Sequence, residues 1–297
     1  MAPPIVKNVL DAIGNTPCVR LKKVVPEGCA DVYLKLEYFN PTGSYKDRMA
    51  NSIIQEAEKS GGLKPGMTVV EASGGSSGSS LALVCAAKEY NCHIVTSNAF
   101  AVEKLRTMSA FGTHVEIIHS PSGKIHADLI PSMIRRVTEL SKDPQMYWTD
   151  QFNNRDAFEV DAFCGAVGTA GMAIGVSSVL KDQWPECRVA VLEPASSPRI
   201  SEGEAGAHHI EGIGIGIIPP LLDETLCDHA WALEEQEARA MCRRLAKEEG
   251  LLVGTSTGLN VVGAIRLAQE LGLGKTVVTV ACDTGLKYMN GDLFTAS

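Results

Sequence analysis

The sequence predicts an α/β fold built on parallel sheets, and two observations support this prediction. Short runs rich in β-branched residues alternate with helical patterns along nearly the whole chain of 297 residues, which is typical of strands joined by crossover helices. The strand runs are also too apolar for strands confined to sheet edges. The predicted strands span residues 31–37, 67–72, 93–97, 114–119, 188–193 and 276–282.

The segments between these strands have helix-forming composition. In the segment 233–249, Ala238, Met241, Cys242 and Leu245 fall at positions i, i+3, i+4 and i+7, which predicts one buried stripe. Pro131 is tolerated only in a first turn, so its helix is expected to begin near residue 130. The predicted helices span residues 49–59, 80–90, 101–111, 127–142, 169–181, 233–249 and 259–271.

Composition and charge exclude several classes of partner. The net charge of -8 and the pI near 5.4 leave no basic stripe for nucleic acid. No apolar run reaches the ~18 residues that a membrane helix needs, and the start of the chain lacks the layout of a signal peptide. We therefore expect a cytoplasmic protein that binds a small metabolite, without a membrane or nucleic-acid partner.

The cysteines and histidines suggest no metal site. The nine cysteines form no C-x-x-C pair, and their odd number argues against a complete disulfide framework, so most are expected to be buried thiols. His208, His209 and His229 lack the spaced partners of a metal centre and are interpreted as surface or loop residues.

Two segments in the first third of the chain could carry chemistry. In the first, a turn rich in Pro and Gly places Lys46 near a helix start, where the helix dipole and partial burial would favour the neutral amine that forms a Schiff base. The simpler interpretation is a solvated surface lysine. In the second, Ser73, Gly74, Gly75, Ser76 and Ser77 follow a strand, where hydroxyls and free N–H groups can bind a carboxylate or phosphate. A flexible linker is the alternative.

Two further segments precede predicted helices in the second half of the chain. Gly168, Thr169, Ala170, Gly171 and Met172 form an anion nest suited to a phosphate monoester, although a tight turn packed on the sheet would look the same. The Rossmann spacing G-x-G-x-x-G is absent there.

Before the last helix, the hydroxyl of Ser256 could simply cap that helix. Held against a pyridine nitrogen, a neutral serine would leave this nitrogen unprotonated and the ring a weaker electron sink, which suits β-elimination chemistry.

These segments, in this order, resemble the cysteine synthase and cystathionine β-synthase family of fold-type-II pyridoxal-phosphate enzymes. Residues 13–17 are similar to the family's opening signature, 40–48 to its lysine motif and 283–288 to its closing motif. The resemblance implies two three-layer αβα domains with mostly parallel twisted sheets, as in the tryptophan synthase β-subunit. It assigns residues 1–41 and 146–297 to a larger cofactor-binding domain and 42–145 to a smaller, mobile domain inserted in it.

The same resemblance implies the roles of the site residues. Lys46 would form the Schiff base with pyridoxal 5'-phosphate, and residues 168–172 would cradle its phosphate. Ser256 would face the pyridine nitrogen, and Ser76 the phenolic oxygen. The substrate carboxylate would be bound by Ser73, Gly74, Gly75 and Ser77, with Gln151 as a distal helper and Gly212 in a loop at the mouth of the site.

The implied reaction is β-replacement on a serine-derived amino acid, such as O-acetylserine, by sulfide or a related small nucleophile. Lys46, displaced from the aldehyde, would remove the α-proton, and an aminoacrylate intermediate would follow. The family also implies a homodimer.

The chain departs from the family pattern at several positions. The family loop usually reads T-S-G-N-T-G, so Gly74 removes a hydroxyl and Ser76 shortens an amide. Ala170 stands where glycine is usual and Met172 where a threonine is expected, and the connection 152–165 is short, which predicts a more open entrance. These departures leave two alternatives open: serine or threonine deamination, and a regulatory paralogue without catalytic activity.

Overall fold

The computed structural model describes residues 6–125, 128–149 and 161–295, and its chain divides into two compact units. The described part of the smaller unit comprises residues 6–16 and 37–149, and that of the larger unit comprises 17–36 and 161–295. Among these residues, no helix combines the length and the apolar character needed to cross a bilayer.

The smaller unit contains a fully parallel four-stranded sheet covered on both faces. Its strands, in the spatial order β5-β4-β3-β6, are β3 (Thr68–Ala72), β4 (Asn91–Ser97), β5 (His114–Ile118) and β6 (Met146–Trp148). Its helices are α1 (Lys46–Lys59), α2 (Ser76–Lys88), α3 (Val102–Ala110) and α4 (Leu129–Leu140). Val69 packs with α1 and α2 in one apolar cluster, whereas its neighbour Val70 packs with α4 in another. Because successive strand residues point to opposite faces, this alternation builds three layers.

The larger unit repeats this architecture around six strands. The spatial order is β1-β2-β10-β7-β8-β9, and only the edge pair β1–β2 is antiparallel. The strands are β1 (Cys18–Arg20), β2 (Asp31–Leu36), β7 (Ala162–Ala166), β8 (Arg188–Pro194), β9 (His229–Leu233) and β10 (Thr276–Ala281). The helices are α5 (Gly171–Gln183), α6 (Glu235–Arg244), which continues into a π-helical turn at Leu245–Glu249, and α7 (Thr255–Leu271). The predicted α/β class with mostly parallel sheets is confirmed.

Several predictions about individual elements were wrong. Residues 114–119 were expected to be too apolar for an edge strand, but β5 is an edge strand with no buried residue, since polar side chains alternate along it. The strands β1, β6, β7 and β9 were not predicted. Helices α1, α2 and α7 begin three or four residues earlier than predicted, inside the Gly- and Ser-rich segments.

The division into units differs from the predicted boundaries at residues 6–16, 37–41 and 146–149, which belong to the smaller unit. Strand β6 pairs in parallel with β3, and Leu10 packs against the cluster of α1 and α2. Glu37 and Asn40 are tied to residues of the same unit by the hydrogen bonds described below. The mobility of the smaller unit stays a prediction.

Candidate active site

Lys46 is the first residue of α1 rather than a residue of the preceding turn. Its Nζ lies 3.8 Å from the Sδ of Met49 and 5.1 Å from the centroid of the Tyr45 ring. The side chain therefore turns back over the first turn of its own helix, beside a thioether and an aromatic face. The N–H groups of Lys46, Asp47 and Arg48 in that turn are bonded to oxygens of Ser44 and Tyr45, and the positive end of the helix dipole lies beside the amine.

The neighbouring carboxylate of Asp47 fixes the segment that carries Lys46. Asp47 is completely buried and accepts hydrogen bonds from the backbone N–H of Thr42 at 2.7 Å and from its hydroxyl at 2.5 Å. The hydroxyl of Ser80, in α2, donates to the same carboxylate at 2.5 Å. Asp47 thus joins the turn before α1 to the first turns of α2. The sequence analysis did not single out Asp47, although its place inside the 40–48 motif was a signal.

A second buried carboxylate, Glu37, organises the start of the same motif. Arg48 binds Glu37 through two N–H groups at 2.8 and 2.9 Å, and the hydroxyl of Thr16 donates to it at 2.6 Å. The Asn40 amide donates to Glu37 at 2.9 Å and accepts from the backbone N–H of Gly14 at 2.8 Å. Burial opposes ionisation of Glu37, but the hydrogen bonds from Arg48, Thr16 and Asn40 outweigh it and lower the pKa of this carboxyl. The motifs at 13–17 and 40–48 are therefore one hydrogen-bonded structure.

The loop at 73–77 is built around the hydroxyl of Ser73. This buried oxygen accepts from the backbone N–H of Gly78 at 2.8 Å and of Gly75 at 3.2 Å, so it caps the start of α2. Because both lone pairs are used, the Ser73 O–H is directed to donate elsewhere. Ser76 is the first residue of α2, and Ser77, in the same turn, is buried. The helix start and the donating hydroxyls together suit an anion such as a carboxylate.

Two glycines of this loop are in contact with side chains. A Cβ at Gly74 would lie 2.7 Å from the ring of Phe100, and a Cβ at Gly75, whose φ is +150°, would lie 2.3 Å from the side chain of the buried Lys104. Both positions therefore require glycine in this chain. The ring of Phe100 occupies the space that a serine side chain at position 74 would need.

In the larger unit, the predicted phosphate loop and Gly212 lie together. A Cβ at Gly168 would fall 2.1 Å from the carbonyl oxygen of Gly212, so only glycine permits this close approach. The N–H of Gly214 donates to the carbonyl of Val167 at 3.0 Å, and the buried His208 Nε2 lies 2.9 Å from the carbonyl oxygen of Gly214. His208 was interpreted as a surface or loop residue: it lies in a loop, but its ring is buried.

The end of the phosphate loop leads into α5. Ala170 precedes the helix with φ of +65°, a left-handed conformation that explains why glycine is usual here. Gly171 and Met172 are the first two residues of α5, and Thr169 stands just before Ala170. The methyl group of Met172 lies 2.9 Å from where a Cβ of Gly165 would be, so this side chain packs along β7. The first-turn N–H groups of α5 have no acceptor within the helix and are suited to a phosphate.

The start of α7 supplies the last predicted residue. Ser256 is buried in the first turn, next to Thr255, whose buried hydroxyl has no hydrogen-bond partner among the residues described. A buried hydroxyl without a partner is costly in a finished core, which fits a group that is completed by a ligand. Together with the narrow approach at Gly168, this orphan hydroxyl is compatible with a phosphorylated aromatic cofactor.

The predicted site residues thus divide between the units. Lys46 and residues 73–77 are brought together in the smaller unit through Asp47 and α2, and residues 168–172, Gly212 and Ser256 belong to the larger unit. Gln151 and most of the short connection after Phe152 lie outside the described residues.

Comparison with known proteins identifies the family. Residues 9–283 match the model of the family described as pyridoxal-phosphate dependent enzyme. The chain is 38% identical to a cysteine synthase of Staphylococcus aureus over 312 aligned positions, which cover 99% of each chain. Because the alignment is longer than this chain, it contains gaps in this sequence.

Solved structures agree with the family model. The crystal structure of O-ureido-L-serine synthase matches with a TM-score of 0.89 at 33% identity, covering 98% of this chain and 96% of that one. A hydrogen sulfide-producing enzyme of Fusobacterium nucleatum matches with a TM-score of 0.87 at 32% identity, covering 96% and 100%. The chain therefore belongs to the family of pyridoxal-phosphate-dependent enzymes of fold type II, among members that resemble cysteine synthases.

Proposed function

We propose that this enzyme replaces the β-substituent of a serine-derived amino acid with a small nucleophile, with O-acetylserine and sulfide as the preferred pair. The observation that carries the proposal is the buried Asp47, which holds the Lys46 segment and the start of α2 in one hydrogen-bonded arrangement. Such an arrangement places a candidate nucleophilic amine and a candidate carboxylate-binding loop on one rigid support. The likeness to cysteine synthases supports the choice of substrates.

In this proposal Lys46 has two successive tasks. Its Nζ would hold the cofactor covalently, and once released the amine would remove the proton from the substrate α-carbon. Bound pyridoxal phosphate supplies the electron sink for breaking bonds at that carbon. The leaving group departs from the β-carbon, and the nucleophile adds there. Residues 40–48 are expected to keep the amine in place throughout, because Asp47 and Glu37 anchor both ends of the segment.

The loop at 73–77 is proposed to bind the substrate carboxylate. The Ser73 hydroxyl, which already accepts two backbone N–H groups, would donate its own proton to a carboxylate oxygen. Ser77, Gly75 and Gly74 would add backbone or hydroxyl donors, and the positive end of α2 favours the negative charge. Ser76 is proposed to face the phenolic oxygen of the cofactor, and Gln151 to assist from a distance.

The larger unit is proposed to hold the rest of the cofactor. Residues 168–172 would bind its phosphate through backbone N–H groups at the start of α5. The carbonyl oxygen of Gly212 packs closely against Gly168. Ser256 would face the pyridine nitrogen without adding a negative charge. Met172 contributes no hydroxyl, so phosphate binding depends here on the backbone and on Thr169.

Replacing Lys46 tests the covalent assignment. Wild-type protein loaded with pyridoxal phosphate is expected to show visible absorbance that borohydride reduction retains as a pyridoxyl adduct on Lys46, and Lys46→Ala is expected to lose this adduct. Lys59→Ala is the matched control, since Lys59 is an exposed residue at the other end of α1 that pairs only with Glu56 in the described structure. An adduct mapped to another lysine by mass spectrometry would contradict the proposal.

The substrate pair is tested separately. Serine derivatives are mixed with the loaded enzyme, and the products are measured with and without sulfide. β-Replacement predicts cysteine and no excess of ammonia when sulfide is present. Ammonia and a keto acid in equal amounts under both conditions would instead show deamination, and a spectrum unchanged by every amino acid would support a regulatory role.

We also propose that the protein is a homodimer in the cytoplasm. The family resemblance supports the dimer, and all nine cysteines are free, which suits a reducing compartment. Light scattering after gel filtration would show a mass near twice 31.6 kDa if the dimer forms.

A further inference from the structure

Three potential metal ligands meet on two neighbouring strands of the smaller unit. His93 in β4 is opposite His114 in β5 in the parallel register, and Glu116 follows His114 by two residues. Residues i and i+2 of a strand point to the same face, so the three side chains share one face of the sheet. Local sequence patterns do not indicate this cluster, because His93 and His114 are 21 residues apart and His114 and Glu116 have no recognised metal-binding spacing.

The donor atoms are close enough for one ion. One donor atom from each residue lies within 4.8 Å of those from the other two, and the His93 Nε2 is 3.0 Å from Glu116 Oε2. In a tetrahedral site with bonds of about 2.0–2.1 Å, neighbouring donor atoms are about 3.4 Å apart. Small rotations of the exposed His114 side chain would therefore bring the three donor atoms to these distances. Water could then be the fourth ligand of the metal.

The surroundings of the cluster also match a metal site. Arg136 in α4 donates from its Nε to Glu116 Oε1 at 2.6 Å and from its Nη2 to Oε2 at 3.3 Å, and this Oε2 also lies 3.0 Å from His93 Nε2. Partners of this kind orient metal ligands in known sites, although the charge of Arg136 works against a cation.

We propose that His93, His114 and Glu116 bind a divalent transition-metal ion, with zinc as the best-suited ion, and that the bound ion fastens the edge strand β5 to β4. Two imidazoles and one carboxylate form a donor set that suits zinc. The cluster lies near the amino ends of these parallel strands, whereas Ser73 follows the carboxyl end of β3. The site is therefore separate from the proposed carboxylate loop and is assigned a structural role.

Zinc binding to the cofactor-loaded protein tests this proposal. The protein is stripped with a chelator, desalted and dialysed against Zn²⁺, and bound metal is counted per chain. Wild-type protein is expected to bind one ion more than His114→Ala, and its Tm is expected to rise with zinc while that of the variant does not. The affinity of Glu116→Gln for zinc is expected to fall at least about tenfold, since loss of even an indirect metal partner costs this much.

His119→Ala is the matched control, because His119 is an exposed histidine just beyond β5 and outside the cluster. It should bind zinc as the wild type does. His114 is exposed, so its variant is expected to fold, and an unchanged circular dichroism melt without zinc checks this. Equal zinc binding by wild type and His114→Ala, or an anomalous scattering peak at the thiols instead, would overturn the proposal and leave an ordinary hydrogen-bonded cluster.

Discussion

Gly74 and the ring of Phe100 form a matched pair of residues. In the sequence, Gly74 stands where the family usually has a serine, so a carboxylate-binding hydroxyl is missing there. In the structure, the Phe100 ring occupies the space that a larger side chain would need. Phe100 therefore suits glycine, and not a larger residue, at position 74.

Gly74→Ser is therefore expected to destabilise the protein by about 1–3 kcal/mol through overpacking, and the added hydroxyl should not improve substrate binding by itself. In the background of Phe100→Ala, the same substitution should cost clearly less, which a double-mutant cycle of urea unfolding would measure. Gly62→Ser is the control, because its Cβ would make only ordinary contacts, the nearest at 3.4 Å. Additive effects of Gly74→Ser and Phe100→Ala would refute the coupling.

Glu37 and Arg48 are an ion pair with unequal exposure. The side chain of Glu37 is 6% exposed, whereas that of Arg48 is 42% exposed. Arg48→Met leaves a buried carboxylate without its partner and is expected to cost about 3–5 kcal/mol at pH 7, whereas Glu37→Gln leaves a guanidinium that water can reach and should cost less. Urea unfolding at pH 7 would rank the two variants, and the opposite order would contradict this account.

The pH dependence of this pair has a definite sign. Because the pKa of Glu37 is lowered in the folded protein, its ionisation stabilises the fold at pH values above its unfolded pKa of about 4.3. That contribution is lost as the pH falls toward the lower folded value. The difference in stability between wild type and Glu37→Gln should accordingly shrink from pH 7 to pH 3.5, and a constant difference would argue against the lowered pKa.

At the scale of elements, α1 and α2 begin within segments that look like loops in the sequence. Gly, Ser and Pro favour turns, so local composition predicted starts at residues 49 and 80. Buried hydrogen bonds extend both helices toward their N-termini: Asp47 bonds Thr42 and Ser80, and Ser73 bonds the N–H of Gly78. These partners are 33 and five residues apart in the chain, and the longer connection cannot be found from local patterns.

Removing Asp47 tests this connection between helices. Asp47→Ala is expected to cost about 1.5–3 kcal/mol for each lost bond to the charged group, and Ser80→Ala should cost about the value of one such bond. Ser79→Ala is a matched control, since Ser79 is equally buried but donates only a long bond of 3.4 Å to the carbonyl of Lys104. If Ser79→Ala and Ser80→Ala had equal effects, the special role of Asp47 would be refuted.

At the scale of the whole molecule, buried thiols are distributed through both units. Cys85 and Cys92 are buried in the smaller unit, and Cys164, Cys242 and Cys282 in the larger. Burial raises the pKa of Cys164 and of Cys242 to about 12, so neither forms much thiolate in the folded protein.

Native protein at pH 8 should therefore be labelled by a thiol reagent at the exposed Cys18 but not at the buried cysteines. With rising urea, Cys85 and Cys92 are expected to react before Cys164 and Cys242, because the smaller unit buries a smaller core. Mass spectrometry after pulse labelling would give the order. Simultaneous labelling of all buried thiols would show that the chain unfolds as one unit.

The sequence by itself determined the fold class, because that depends on local periodicity, and its resemblance to a known family indicated the cofactor and the motifs that carry Lys46 and the glycine-rich loops. It did not reveal β6 or β7, which are short or rich in small residues, or the edge position of β5. Only the tertiary structure decided the partners of Asp47 and Glu37, the fit of Phe100 against Gly74, and the meeting of His93 with His114. The contacts of Asp47 with Ser80, of Gly74 with Phe100 and of His93 with His114 join residues that are distant in the chain, and such contacts exist only once the strands and helices are packed.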